Sequence, residues 1–207
     1  MTEDREISYT HMDVLQEVSN IGLGNAATSL AELLKKRIDI SVPRATFLEM
    51  EELFPLVGDL EDPVACVNLS FDGDIAGVIM FIFTENSAYR LIDMLLEQAV
   101  GTTEGLDAMG ESVIIEIGNV LSGSFMNAIS DMTGLTMRAT VPLFAFDMMG
   151  AILSASLVAS GHWDGQVLLI ETIFMQSKEQ IKGHFLLLPE TGAIDRLFSV
   201  LGIPAEG

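Results

Sequence analysis

A chain of 207 residues has room for a sizeable core, in one large domain or two small ones. Its net charge of −20, from 10 basic and 30 acidic residues, withholds the basic face that nucleic-acid binding needs, and a single cysteine excludes a disulfide framework or a cysteine metal cluster. Apolar residues make up 49% of the chain. Even so, the longest apolar runs, Ile75–Phe83 and Met148–Ala159, fall well short of the ~20 residues of a spanning helix, and the acidic start MTEDREISYT is no secretory signal, so a cytoplasmic protein without membrane insertion is expected.

In chain order, Met12–Lys36 reads as one long helix, with Val14, Val18 and Ile21 opening an apolar stripe that Leu30, Leu33 and Leu34 continue. Arg37–Val42 alternates Ile38, Ile40 and Val42 with polar residues, as a strand does, and ends at Pro43. Met50–Val57 suits a short helix. Val64–Phe71 and Ile75–Phe83 suit two strands joined by the turn Asp72-Gly73-Asp74. Asn86–Ala99 is amphipathic, and Gly101–Gly105 reads as a linker. The order then repeats: a helix over Glu111–Thr133, a strand-like stretch over Thr136–Phe146 that carries Pro142, strands over Val167–Met175 and His184–Leu188, and a closing helix over Thr191–Leu201. Leu153–Ser160 fits either period, and a strand is expected there.

The repetition extends to single residues. An offset of 99 places Val14 on Val113, Glu17 on Glu116, Asn20 on Asn119, Gly24 on Gly123 and Pro43 on Pro142, without a gap. The shared pattern is [Asp/Ser]-x3-Glu-x2-Asn-x22-Pro, carried by Asp13, Glu17, Asn20 and Pro43 and again by Ser112, Glu116, Asn119 and Pro142. Three residue types of ~5% abundance meet at fixed spacing at on the order of one start in ten thousand. Two copies in register are therefore not chance. A duplicated fold can keep such residues for helix capping or a buried contact. However, positions i, i+4 and i+7 share one helix face, and Asn is a poor mid-helix residue because its amide competes for backbone bonds. Glu with Asn on a mid-helix stripe, twice, suggests groups that face a partner.

These residues, within MDVLQEVSNIGLGNAATSLAELL…SVP, resemble the CheC family of chemotaxis phosphatases, which includes CheX and the phosphatase part of FliY; the likeness spans nearly the whole chain, and two motif copies favour the CheC branch. The resemblance implies a single α+β domain over 1–207. Its two pseudo-symmetric repeats, about 12–100 and 111–207, would share a mainly antiparallel sheet, with the two motif-bearing helices on the same side. It implies hydrolysis of the phosphoaspartate of the response regulator CheY. Asn20 and Asn119 would position the attacking water, and Glu17 and Glu116 would hold the regulator. Asp13, Ser112, Pro43 and Pro142 would shape the site. No cofactor of the chain's own is implied, and no metal site; Mg2+ is expected on CheY. The family also pairs with the receptor deamidase CheD. Phe144–Gly150, with Phe146 and Asp147, resembles the segment that docks it, and a non-catalytic adaptor for CheD is the alternative function; a buried strand end would explain the same residues.

Two other features carry less. Gly22-Leu23-Gly24-Asn25-Ala26-Ala27 fits the dinucleotide fingerprint G-x-G-x-x-A, but it lies inside a helical pattern instead of a strand-to-helix turn; small residues there suit close helix packing. His11, His162 and His184 have no ligand spacing.

Overall fold

The computed structural model describes residues 9–34, 38–160, 166–176 and 179–202. Among these the first half of the chain contributes α1 (Tyr9–Leu34), β1 (Asp39–Glu49), α2 (Met50–Val57), β2 (Pro63–Gly73), β3 (Gly77–Thr84) and α3 (Glu85–Leu96). The second contributes α4 (Ala108–Thr133), β4 (Met137–Ala139), β5 (Leu143–Met148), α5 (Met149–Ser160), β6 (Gln166–Gln176), β7 (Glu179–Pro189) and α6 (Ala193–Val200). The mixed α+β fold with one antiparallel sheet agrees with the sequence reading.

The sheet runs β1-β6-β7-β3-β2, and the outer edge of β2 is shared by β4 and β5. All recorded pairings are antiparallel. The halves interlock: β1 pairs with β6 of the second half, while β4 and β5 pair with β2 of the first.

Why the strands are apolar almost throughout follows from what covers them. On β3, Ile79, Phe81 and Phe83 enter the larger core with α1, α3, α4 and α6, while Val78, Met80 and Ile82 enter a second core with Leu53 and Val57 of α2 and Met149, Ile152 and Leu153 of α5. Side chains alternate between faces at period two, so a sheet covered on both faces reads as a continuous apolar run. Phe125 of α4 lies 4.6 Å, centroid to centroid, from Phe185 of β7 and fixes that helix to the sheet. By length and composition α4 is apolar enough to cross a membrane, but half of its apolar window is buried inside the fold.

The two prolines punctuate the two edge strands. In β1 the ladder jumps from Ser41 to Arg44 around Pro43, and the strand continues to Glu49, beyond the expected end at Val42. On the opposite edge the strand is interrupted between Ala139 and Leu143, around Pro142. Proline has no N–H to give to a ladder and is tolerated only at such edges.

Two expectations are corrected and a third is sharpened. Leu153–Ser160 belongs to helix α5, not to a strand. Among its described side chains Met149, Ile152, Leu153 and Ser156 are buried, at helical spacing, and the small residues between them hid that period. Gly101–Gly105 lies in the irregular connection between α3 and α4, as the linker reading has it, and its first three residues are clamped. The fully buried Asp93 accepts from the backbone N–H of Gly101 (2.7 Å), Thr102 (3.1 Å) and Thr103 (2.9 Å) and from the Thr103 hydroxyl (2.6 Å). Burial alone raises its carboxyl, yet these donors outweigh burial and hold it below the ordinary carboxylate range. Finally, the inward stripe of α1 runs through Leu15, Val18, Gly22, Leu23, Ala26 and Leu30, with Val14 half-buried and Ile21 outside it; the side chains of Leu33 and Leu34 lie outside the described residues.

Candidate functional site

Helix α1 buries Leu15, Val18 and Leu23 and turns Asp13, Glu17 and Asn20 to solvent. Helix α4 buries Ile114, Ile117 and Leu121 and turns Ser112, Glu116 and Asn119 to solvent. All six polar residues of the doubled pattern are therefore exposed, three on each helix face, at the i, i+4, i+7 spacing. Exposed mid-helix positions are the ones that packing constrains least, so the agreement between the copies is not imposed by the core.

The supports differ. Beneath the first face Ser19 is buried and donates to the Leu15 carbonyl at 2.6 Å. At the matching place Gly118 meets the sheet so closely that a Cβ would lie 2.6 Å from the Val67 side chain. Where the first copy has Asp13, the second has Ser112, whose hydroxyl donates to the Ala108 carbonyl at 2.8 Å. Pro43 is exposed in β1, which packs directly on α1, and Pro142 is half-buried in the break of the opposite edge.

The two motif helices are brought together. A Cβ on Gly22 would lie 2.9 Å from the Cα of Phe125 and 3.4 Å from the Cβ of Ala128, so glycine allows the backbones to approach. Gly22 and Ala26 serve packing as expected; Gly24 does not, being exposed with nothing within 4 Å of its Cβ position. The run Gly22–Ala27 is helical throughout, without the strand-to-helix turn that dinucleotide binding needs.

One exposed apolar residue beside the first face escaped the sequence reading. Ile21, 38% exposed, stands beside Asn20 and one turn from Glu17, and its counterpart Val120 is half-buried. The i, i+4 relation to Glu17 was the available signal; apolar character drew Ile21 into the core stripe instead. Each face thus sets a carboxylate and an amide beside an apolar side chain, exposed in Ile21 and half-buried in Val120.

Other candidates sit elsewhere. Cys66 is fully buried in the second core, and burial pushes its thiol up to about 12, so it is an unreactive packing residue. His184 is buried in the sheet; burial, helped by the charge of Lys182, lowers its pKa to about 4. The His11 side chain and His162 lie outside the described residues. A cavity of about 490 Å³ opens between α5 and strands β2 and β5, lined mainly by apolar atoms, with Asn68, Asp147 and Ser156 as its polar groups; none of the doubled-pattern residues lines it. The segment Phe144–Gly150 divides: Phe146, Asp147 and Met148 are exposed, whereas Met149 is fully buried. Phe146 lies 6.5 Å from the Tyr89 ring, and Asp147 accepts from the Met148 N–H at 2.7 Å, just ahead of α5.

A sequence profile of the CheC-like family matches residues 11–46 and 109–144, the stretches that carry the two faces. The chain is 36% identical to the CheY-P phosphatase CheC of Bacillus subtilis over 200 residues, 95% of this chain and 96% of that protein. The chain belongs to the CheC-like family. The flagellar motor switch phosphatase FliY of Bacillus subtilis is 24% identical over 60% of this chain, a match that spans 32% of the longer protein. The crystal structure of Thermotoga maritima FliY superposes with a TM-score of 0.77 at 17% identity, covering 95% of this chain and 98% of that one, and shows that the fold is shared.

Proposed function

We propose that the chain is a phosphatase of the phosphorylated response regulator CheY. The observation that carries this reading is the pair of exposed Glu/Asn faces, within a family whose Bacillus subtilis member is a CheY-P phosphatase. The substrate is an acyl phosphate, already reactive. The regulator brings the phosphoaspartate, its own divalent metal (Mg2+) and its lysine, which neutralise charge on the transferring phosphoryl group. What it lacks is a water held in line with phosphorus. The amide of Asn20 or Asn119 both accepts and donates hydrogen bonds, and so orients that water; the water oxygen bonds to phosphorus, the bond to the aspartyl oxygen breaks, the regulator's carboxylate is restored, and dihydrogen phosphate leaves with the water's protons. Positioning of this kind contributes several kcal/mol (~4 or more) when the geometry is right. Glu17 or Glu116 grips the regulator through its lysine, which sets register and on-rate more than affinity. Asp13, Ser112, Pro43 and Pro142 shape the faces.

An exposed face on a helix suits a protein substrate that carries its own cleft. The test is the decay of acyl phosphate on a phosphorylated CheY with Mg2+, with and without the chain. Accelerated loss supports the reading; decay at the regulator's own rate contradicts it.

A second activity, docking of the deamidase CheD, is favoured by the exposure of Leu143, Phe146 and Met148 beside Asp147 on the edge strand β5. Phe146→Ala with Asp147→Lys should abolish CheD capture and leave CheY-P hydrolysis intact; retained capture contradicts the assignment.

A further inference from the structure

We infer that the two motif faces exclude each other: a phosphorylated receiver docked on one blocks the other, so the chain handles one regulator at a time. This rests on the phosphatase reading, and it follows from how α1 and α4 are placed.

Five successive antiparallel pairings separate the edge strands β1 and β5, so these two run in opposite directions. Helix α1 leads into β1 and α4 into β4 and β5, each in the same order, so the two helices are antiparallel. Their register is fixed by the contact of Gly22 with Phe125. The counterpart under the 99-residue offset is Leu121 against Ala26, and both of these are buried. The centre of symmetry then falls between Gly24 and Gly123, where neither glycine has anything within 4 Å of its Cβ position.

Asn20 lies four residues before Gly24 and Asn119 four before Gly123, in opposite directions. At 1.5 Å per residue the amides are ~12 Å apart along the axis, and with helices 8–10 Å apart the total separation is ~15 Å. The same arithmetic puts Glu17 and Glu116 ~23 Å apart. Even a small transient interface covers about 600 Å² on each partner, a disc of ~14 Å radius, so two side by side need ~28 Å between centres. Both separations fall short of that. The faces are two overlapping footprints on one helix pair.

Exclusion has a kinetic signature. In Asn20→Ala the first face keeps Glu17 and still grips a receiver, holding it unproductively over the working second face. Adding Glu17→Arg releases that grip. Under exclusion, turnover at saturating receiver should rise about two-fold from Asn20→Ala to Glu17→Arg/Asn20→Ala, whereas independent sites give no change. Both positions are exposed, and unchanged melting temperatures certify the variants. Sedimentation velocity of the wild-type chain with a receiver held in its phosphorylated form by beryllofluoride and Mg2+ should show one receiver per chain at saturation. Two receivers per chain, or no rise in turnover, overturns exclusion while leaving the phosphatase reading intact. Failure of the wild type to accelerate dephosphorylation overturns both.

Discussion

In the first half of the molecule the face of Glu17 and Asn20 rests on a buried serine, Ser19, and on an edge strand that continues past its irregularity at Pro43 and tucks Val42 into the core at 7% exposure. In the second half the matching face rests on a glycine, Gly118, pressed against Val67, and its edge strand breaks so that Val141 is 79% exposed. The closing helices differ too: α3 starts at Thr84, whose hydroxyl caps the Ser87 N–H, whereas α6 starts at Gly192 with no side-chain cap. Buried positions normally resist change, and exposed ones drift. Here the halves differ in the buried supports and agree in the exposed Glu and Asn. A requirement of the fold would leave the opposite signature, which favours the proposal that the shared Glu and Asn face a partner.

That comparison breaks first at the supports. Gly118→Val should destabilise by about 3 kcal/mol, because a Cβ there already meets Val67. Half-buried Gly123 on the same helix, with nothing within 4 Å of its Cβ position, should accept Ala with no loss and a gain of up to about 1 kcal/mol from helix propensity. Chemical denaturation of the two variants checks this, and equal effects would refute the difference in support.

The faces should respond the other way. Glu17→Arg with Glu116→Arg should weaken receiver binding on the order of 10-fold by setting like charge against the receiver's lysine, with the melting temperature unchanged. A titration of phosphorylated receiver with both proteins reads this out. A smaller effect separates the edge strands: Val42→Ala should cost about 1–2 kcal/mol and Val141→Ala at most about 0.5, measured by the same denaturation.

The last expected effect is confined to acid pH. The folded pKa of His184 is lowered to about 4 from 6.5. The unfolded chain therefore binds more protons between these values, and the stability that neutral His184 contributes is present above 6.5 and lost as pH falls through that window. His184→Gln should flatten the curve there. Asp93, also lowered, acts in the same direction at more acid pH: its contribution is complete above the ordinary carboxylate range and lost as pH falls through its folded value. Asp93→Asn should flatten that limb.

The same asymmetry decided what was legible in the sequence. Glu17, Asn20, Glu116 and Asn119 could be read because they recur at a fixed offset and a helix converts spacing directly into a face. The strands β2 and β3 could be read because a doubly covered sheet writes itself as apolar runs. Helix α5 could not, because alanines and serines between its buried residues fit either period. Nor could the clamp on Gly101–Thr103, since a lone Asp93 in an amphipathic helix gives no sign that four donors converge on it. Ile21 was missed for a related reason: an apolar residue beside a polar stripe looks like core until its exposure is known.

The central claim is that the repeated amides place the water. It is tested most directly by the loss of acyl phosphate from a phosphorylated CheY in the presence of Asn20→Ala/Asn119→Ala, run beside the wild type and each single variant. Both residues are exposed, so all four proteins should melt alike. Each single variant should keep part of the activity, and the double variant should fall by on the order of 100-fold or more. A folded double variant that still dephosphorylates at the wild-type rate would contradict the account.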